Sequence, residues 1–169
     1  AILVSALALG VAGWLYTWVK SQPSSNARIA EIGEYIRRGA SAFLRREYIV
    51  LARFTAVAAI LILVFLPRPI WTGNVTENIW MTVSYIFGTI LSALAGKIGM
   101  QIATIANVKA AEAAQKGLKP AFMTGFRGGA VMGMAVVGAS LLGVTLVLML
   151  TGDASAVLGF SFGASSLAL

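Results

Sequence analysis

Apolar residues arrive in five long runs along this chain, and the polar stretches between them mark where helices begin and end. The first run covers residues 1–19 and closes with Trp14, Tyr16, Trp18 and Lys20, an aromatic belt with a basic anchor of the kind found at a membrane interface. "SQPSSN" at residues 21–26 reads as a turn, with Asn26 placed to cap the next helix. From there Ile29, Ile32, Ile36, Ala40, Phe43 and Glu47 share one helical face, and Glu34 and Arg38 form an i, i+4 pair. This amphipathic helix is expected to run straight into the second apolar run, residues 48–66, which "PRP" at residues 67–69 stops. Trp71 and Trp80 bracket the polar loop "TGNVTEN", where Asn74-Val75-Thr76 matches a glycosylation sequon too short to separate from chance.

The third run, residues 79–105, continues in helical register to Lys116, with Gly117 as its expected C-cap. Lys119-Pro120 opens a fourth helix, spanning residues 121–150, and "TGDAS" is the next turn. Ala156 is expected to start a fifth, residues 156–169, shorter than the ~20 residues a span needs. The fold class that follows is all-α: a polytopic transmembrane helical bundle with four complete spans plus the start of a fifth, all in one transmembrane domain. The chain opens without methionine inside one apolar run and stops inside another. The expectation is therefore an N-terminal piece of a longer protein.

Composition agrees with the pattern. The 169 residues are 59% hydrophobic and 11% charged, against about 25% charged in soluble domains, and mean hydropathy is +0.87. Absent cysteine excludes disulfides, and absent histidine removes the commonest general base and metal ligand. The net charge of +7 is read as a membrane topology signal, not a nucleic-acid surface. Near the span ends, Lys20, Arg28, Arg37, Arg38, Arg45, Arg46 and Arg53 cluster around the connection of the first two spans, and Lys109, Lys116, Lys119 and Arg127 around that of the third and fourth. The opposite side holds only Arg68, with Glu77 and Asp153. The positive-inside rule puts the N-terminus outside and the basic loops in the cytoplasm, at the cell membrane if the source is prokaryotic.

Small residues recur at four-residue spacing: Gly88, Ser92 and Gly96, then Gly99, Ala103 and Asn107, in the third helix. Gly125, Gly129 and Gly133, then Ala135, Ala139 and Gly143, do so in the fourth, and Gly159 and Gly163 in the fifth. Such stripes let helices approach closely in lipid, so most are expected to pack helix on helix, in a bundle with more helices than this chain supplies. Arg53 and Lys97 are the charges nearest membrane depth. Both sit toward the cytoplasmic ends of their helices, where long stems snorkel. Arg127 reads as a cytoplasmic anchor. The acids are Glu31, Glu34, Glu47, Glu77, Glu112 and Asp153, and none is assigned a catalytic, cofactor-binding or metal-binding role. Glu31 and Glu34 share a face among arginines that reads as water-facing. P-loop, nucleophile-elbow and dinucleotide patterns are absent from the sequence.

Three stretches take the reading further. "YIRRGASAFLRREY" at residues 35–48, "GKIGMQIATIANVKAAEAAQKG" at residues 96–117 and "AFMTGFRGGAVMGM" at residues 121–134 closely resemble the membrane-integral pyrophosphatases, as does "GFSFGASSLAL" at residues 159–169. The resemblance covers the chain from about Ile29 onward. It implies a homodimer of subunits with about sixteen helices in two concentric rings. It also implies hydrolysis of pyrophosphate to phosphate in a cytoplasmic funnel holding Mg²⁺ and carboxylates, coupled to outward pumping of H⁺ or Na⁺, with K⁺ dependence in some members. Helices one to four look like outer ring and the fifth like the start of the inner ring. The family's catalytic residues and its Mg²⁺ and K⁺ sites would lie in parts of the protein beyond Leu169. Ser165 in "GASSLAL" resembles the serine lining the ion path, with Ser166 the match if the register is off by one; either serine could equally bond its own helix backbone. Lys97 departs from the aromatic or aliphatic residue expected before "IGM", which bears on local packing. Two other readings remain from the residues alone: a fragment of a secondary transporter, or a non-catalytic membrane subunit.

Overall fold

A computed structural model describes residues 1–72 and 75–166. Among these, five α-helices follow one another: α1 (Ile2–Ser21), α2 (Ala27–Phe65), α3 (Val75–Ala114), α4 (Leu118–Thr151) and α5 (Ala154–Ser165). α1 to α4 are long and apolar enough to cross a membrane. Asn74 of the sequon lies outside the described residues.

Helix boundaries follow local chemistry. Asn26 caps α2, its Oδ1 accepting from the backbone N–H groups of Arg28 (3.0 Å) and Ile29 (3.2 Å). The amphipathic stretch and the second apolar run form one helix of 39 residues. Gly117 separates α3 from α4 at φ 128° and Gly152 separates α4 from α5 at φ 64°, conformations that L side chains rarely adopt. Asp153 caps α5, accepting from Ser155 N–H at 2.9 Å, so α5 begins at Ala154, two residues before the expected Ala156.

The chain forms two compact units, and α2, α3 and α4 each contribute a stretch to both. The first comprises Ala1–Leu3, Arg46–Leu94 and Ala139–Leu169. One core cluster joins Ala59 and Ile62 of α2 to Met81 and Tyr85 of α3; another joins Val147 of α4 to Ala156 and Phe160 of α5. The α2–α3 connection is fastened by Asn78, 1% exposed, whose Nδ2 donates to Leu63 O at 3.0 Å and Arg68 O at 2.8 Å. These carbonyls lack helical partners at a chain reversal, where an unpaired buried acceptor is costly. Tyr48 Oη donates to Ala93 O at 2.7 Å, a second tie between the same helices.

The second unit comprises Val4–Arg45 and Ala95–Gly138. Leu15 and Val19 of α1, Ile102 and Ala106 of α3 and Val131 of α4 form its core. Gly33 brings α2 onto Val108 of α3, and Gly128 brings α4 onto Ala106. Ile32, Ile36 and Phe43, on the apolar face of α2 read from the sequence, are exposed. It is Gly33, beside that face, that packs on α3. Exposed ion pairs from Glu31 to Arg28 and from Glu34 to Arg37 and Arg38 decorate the polar half of α2. Pairs this exposed contribute little to stability.

The small-residue stripes divide in two. Gly88, Gly159 and Gly163 sit against the backbone of a neighbouring helix, and Gly143 against Phe160 and Leu91. Gly129 and Gly133, expected to pack, meet no atom within 4 Å; the contact on that stretch of α4 is made by Gly128, one position along.

Candidate functional site

The serines singled out at the end of α5 owe their positions to how α5 meets α3. A methyl group at Gly163 would overlap Tyr85 O and lie 2.8 Å from Thr89 N; one at Gly88 would overlap Phe160 O and lie 2.9 Å from Ala164 N. The two helices therefore meet backbone to backbone, which only glycine permits. At this range Ser92 Oγ reaches across and donates to Ala164 O at 2.7 Å.

That crossing turns Ser166 toward α3 and leaves Ser165 exposed. Ser166 is 8% exposed, and its Oγ donates to Phe162 O, four residues back, at 2.9 Å. Its Oγ also lies 3.4 Å from the hydroxyl of Tyr85, which is 2% exposed. A serine has one proton to give, and that proton serves Phe162, so the Tyr85 phenol is the donor between the pair. The separation exceeds the usual O–H···O range of about 2.5–3.0 Å, so this bond is weak and easily exchanged. Ser165, Ser166 and Tyr85 border a cavity of about 510 Å³ whose other walls are apolar, among them Phe54, Leu61, Phe65 and Phe162.

Tyr85 was not among the residues read from the sequence as functional. The signal was present: Tyr85, Thr89 and Ser92 recur at i, i+4 and i+7, so the polar stripe of α3 begins one turn before Gly88. Chemically, the cluster offers hydroxyl oxygens that accept hydrogen bonds or contact a desolvated cation. No carboxylate lines the cavity.

The remaining candidates lie apart from this cluster. Arg53 and Lys97 are exposed. The Arg127 guanidinium carbon stands 3.9 Å from the centroid of the Trp18 ring. Glu112, beyond the apolar part of α3, is 5% exposed. Its Oε1 accepts from Ser25 Oγ at 2.6 Å and Ser25 N–H at 2.5 Å. Donation from the Ser25 hydroxyl, then from its backbone N–H, holds this carboxyl below the usual carboxylate range. Among the described residues no three acidic, histidine or cysteine side chains gather to hold a metal ion. These donors do not fit a Mg²⁺ site.

Compared with known proteins, residues 6–169 match the family model described as inorganic H⁺ pyrophosphatase. The chain is 37% identical over 167 residues to a K⁺-insensitive pyrophosphate-energized proton pump of Methanosarcina mazei, covering 99% of this chain and 24% of that protein. It is 38% identical over 153 residues to a K⁺-stimulated pyrophosphate-energized sodium pump of Thermotoga maritima, covering 89% and 19%. A K⁺-insensitive proton pump of Chloroflexus aurantiacus is 31% identical over 182 residues, covering 99% and 24%. The chain thus spans no more than about a quarter of the length of these relatives.

Proposed function

We propose that this chain, which belongs to the inorganic H⁺ pyrophosphatase family, is part of an integral membrane pump that couples hydrolysis of pyrophosphate to phosphate with outward transport of H⁺ or Na⁺. The observation that carries the reading is the family match across residues 6–169. In this reading the long helices hold the scaffold in the bilayer, with the N-terminus outside and the Lys- and Arg-rich loops in the cytoplasm. The polar extensions of α2 and α3 help wall a cytoplasmic funnel. The parent is a homodimer, and its Mg²⁺ and any K⁺ are bound by residues outside this chain. Relatives divide between K⁺-insensitive proton pumps and K⁺-stimulated sodium pumps, so both ions stand in the proposal.

Ser165 and Ser166 are proposed to border the ion path. Ser165 faces the cavity without a role in the α3–α5 contact, and Ser166 with Tyr85 supplies a hydroxyl pair at its wall. The test is ion uptake into inverted vesicles carrying the parent protein. Adding pyrophosphate should acidify the lumen or load it with ²²Na⁺, and an uncoupler or sodium ionophore should abolish the gradient. Vesicles that ignore pyrophosphate sink the pump reading. Ser165→Ala should lower uptake relative to hydrolysis; an unchanged ratio in both Ser165→Ala and Ser166→Ala removes the serines from the path.

A further inference from the structure

A second cavity, of about 250 Å³, lies in the unit that holds α1. Its wall carries Lys109, Lys116 and Arg127 and a single carboxylate, Glu112. Nothing in the pumping reading uses it.

The charges on this wall are cancelled only in part, three cations against one carboxylate. Glu112 Oε1 is held by Ser25; among the described residues its buried Oε2 has no hydrogen-bond partner, and it forms no ion pair with the three cations. Lys109 Nζ donates to Gln22 O, which leaves two of its three protons. Arg127 is held over Trp18 by attraction to the ring face, which uses none of its five N–H donors. Thr124 on the same wall adds a hydroxyl. Three cationic side chains around one small cavity make a site for a compact anion with several acceptor oxygens.

The surroundings narrow the class. Trp18 belongs to the aromatic belt that closes α1, and Pro23 and Met123 give the cavity an apolar side. Basic pockets between membrane helices at the cytoplasmic interface suit phosphate headgroups whose tails remain in lipid. We propose that this cavity binds a phosphate group, supplied by the headgroup of an anionic phospholipid at the α1–α3–α4 interface.

The test uses the full-length protein carrying this chain, in nanodiscs of phosphatidylcholine with phosphatidylglycerol, and native mass spectrometry to count retained lipids. Wild type should keep phosphatidylglycerol in preference to phosphatidylcholine. Lys109→Gln and Lys116→Gln should each weaken that retention about fivefold. The exposed Arg53→Gln should leave it unchanged. Arg127→Gln also removes the stacking on Trp18 and risks the fold, so the lysine variants carry the test. A parallel arm adds inorganic phosphate in lipid-free detergent and follows thermal unfolding. Protection that the double lysine variant abolishes supports the phosphate site and assigns its source to a free anion. Retention that the double variant leaves intact, or that Arg53→Gln lowers equally, overturns the proposal. Pump activity does not enter either readout, so its failure and that of the pumping reading are separable.

Discussion

The two units bring helices together by different means. In the first, glycines of α3 and α5 face each other's main chain, Gly88 meeting Phe160 and Ala164, Gly159 meeting Met81, and Gly163 meeting Tyr85 and Thr89, while Gly143 of α4 faces the side chains of Phe160 and Leu91. In the second, a glycine faces a side chain: Gly33 meets Val108, Gly99 meets Met132, Gly128 meets Ala106, and Gly138 meets Leu9. Val108, Met132 and Leu9 can adjust or be trimmed, whereas the Ala106 Cβ is fixed to its backbone and a backbone moves only if its whole helix moves. The α3–α5 crossing is therefore the contact least able to adjust, and the candidate serines and Tyr85 lie beside it.

The sharpest way to break this contrast is Gly163→Ala. The new methyl would overlap Tyr85 O and crowd Thr89 N, and the helices would have to part, stretching the 2.7 Å bond from Ser92 to Ala164. Overpacking costs about 1–3 kcal/mol, and more where rigid backbone faces the added atom, so a loss of about 3 kcal/mol is expected. Thermal unfolding in detergent measures it. A loss below about 1 kcal/mol would mean the α3–α5 crossing yields as readily as a side-chain contact.

Gly33→Ala is the matched probe in the second unit. Its methyl would overlap Val108 Cγ2, yet alanine recovers roughly 1 kcal/mol of helix propensity. The net loss should be about 1 kcal/mol. In a Val108→Ala background the clash disappears, and the double-mutant cycle should return a favourable coupling of about 0.5–3 kcal/mol. Zero coupling would show that Val108 is not what Gly33 accommodates.

These contacts also show what was legible in the sequence. The caps at Asn26 and Gly117 were, because each acts within a few residues of itself, whereas "TGDAS" was legible as a turn but not as the Asp153 cap that starts α5 two residues early. The α3–α5 crossing was half legible, since Gly88, Gly159 and Gly163 repeat at helical spacing. Gly33 and Gly128 were not: neither belongs to a run of small residues on its own face that meets a partner, so periodicity carries no signal. Gly129 and Gly133 share the spacing, but within these helices no neighbour meets them. Ser166 and Tyr85 are 81 positions apart, and Ser25 and Glu112 are 87. Their meeting depends on how whole helices align, which no local pattern states. The serines were singled out by family resemblance alone, and residue physics would have assigned Ser166 to its own helix backbone, where one of its bonds does go.

A smaller effect tests how the second unit holds its α1–α2 loop. Glu112 has its carboxyl held below the usual range by Ser25. A group whose folded pKa is depressed stabilises above its unfolded value, about 4.3 for glutamate, and loses that contribution as pH falls through the folded value. Unfolding temperature should hold steady from neutral pH down to about 5 and then decline. Glu112→Gln should flatten the part of that decline due to this residue, because an amide still accepts from Ser25 but carries no charge to lose. An identical pH profile in the variant would show that Ser25 does not discriminate the ionised form.

The smallest effect is expected at Gly129→Ala, and it reaches past this chain. Nothing lies within 4 Å of a methyl placed there, and Gly133, one turn on, is equally open. Within these helices alone the substitution should change stability by no more than about 0.5 kcal/mol, with propensity favouring alanine. Yet glycine at four-residue spacing is costly to keep where no helix approaches, since each residue forgoes the propensity that alanine would supply. If the parent protein packs a further helix against this face, Gly129→Ala in the full-length protein should behave like Gly163→Ala, not like a surface change. Thermal unfolding of the full-length variant decides between them. A loss of about 1–3 kcal/mol would place a neighbour on the Gly125–Gly129–Gly133 stripe and explain its composition. No loss would leave close backbone packing a property of the α3–α5 crossing and take this stripe out of the comparison.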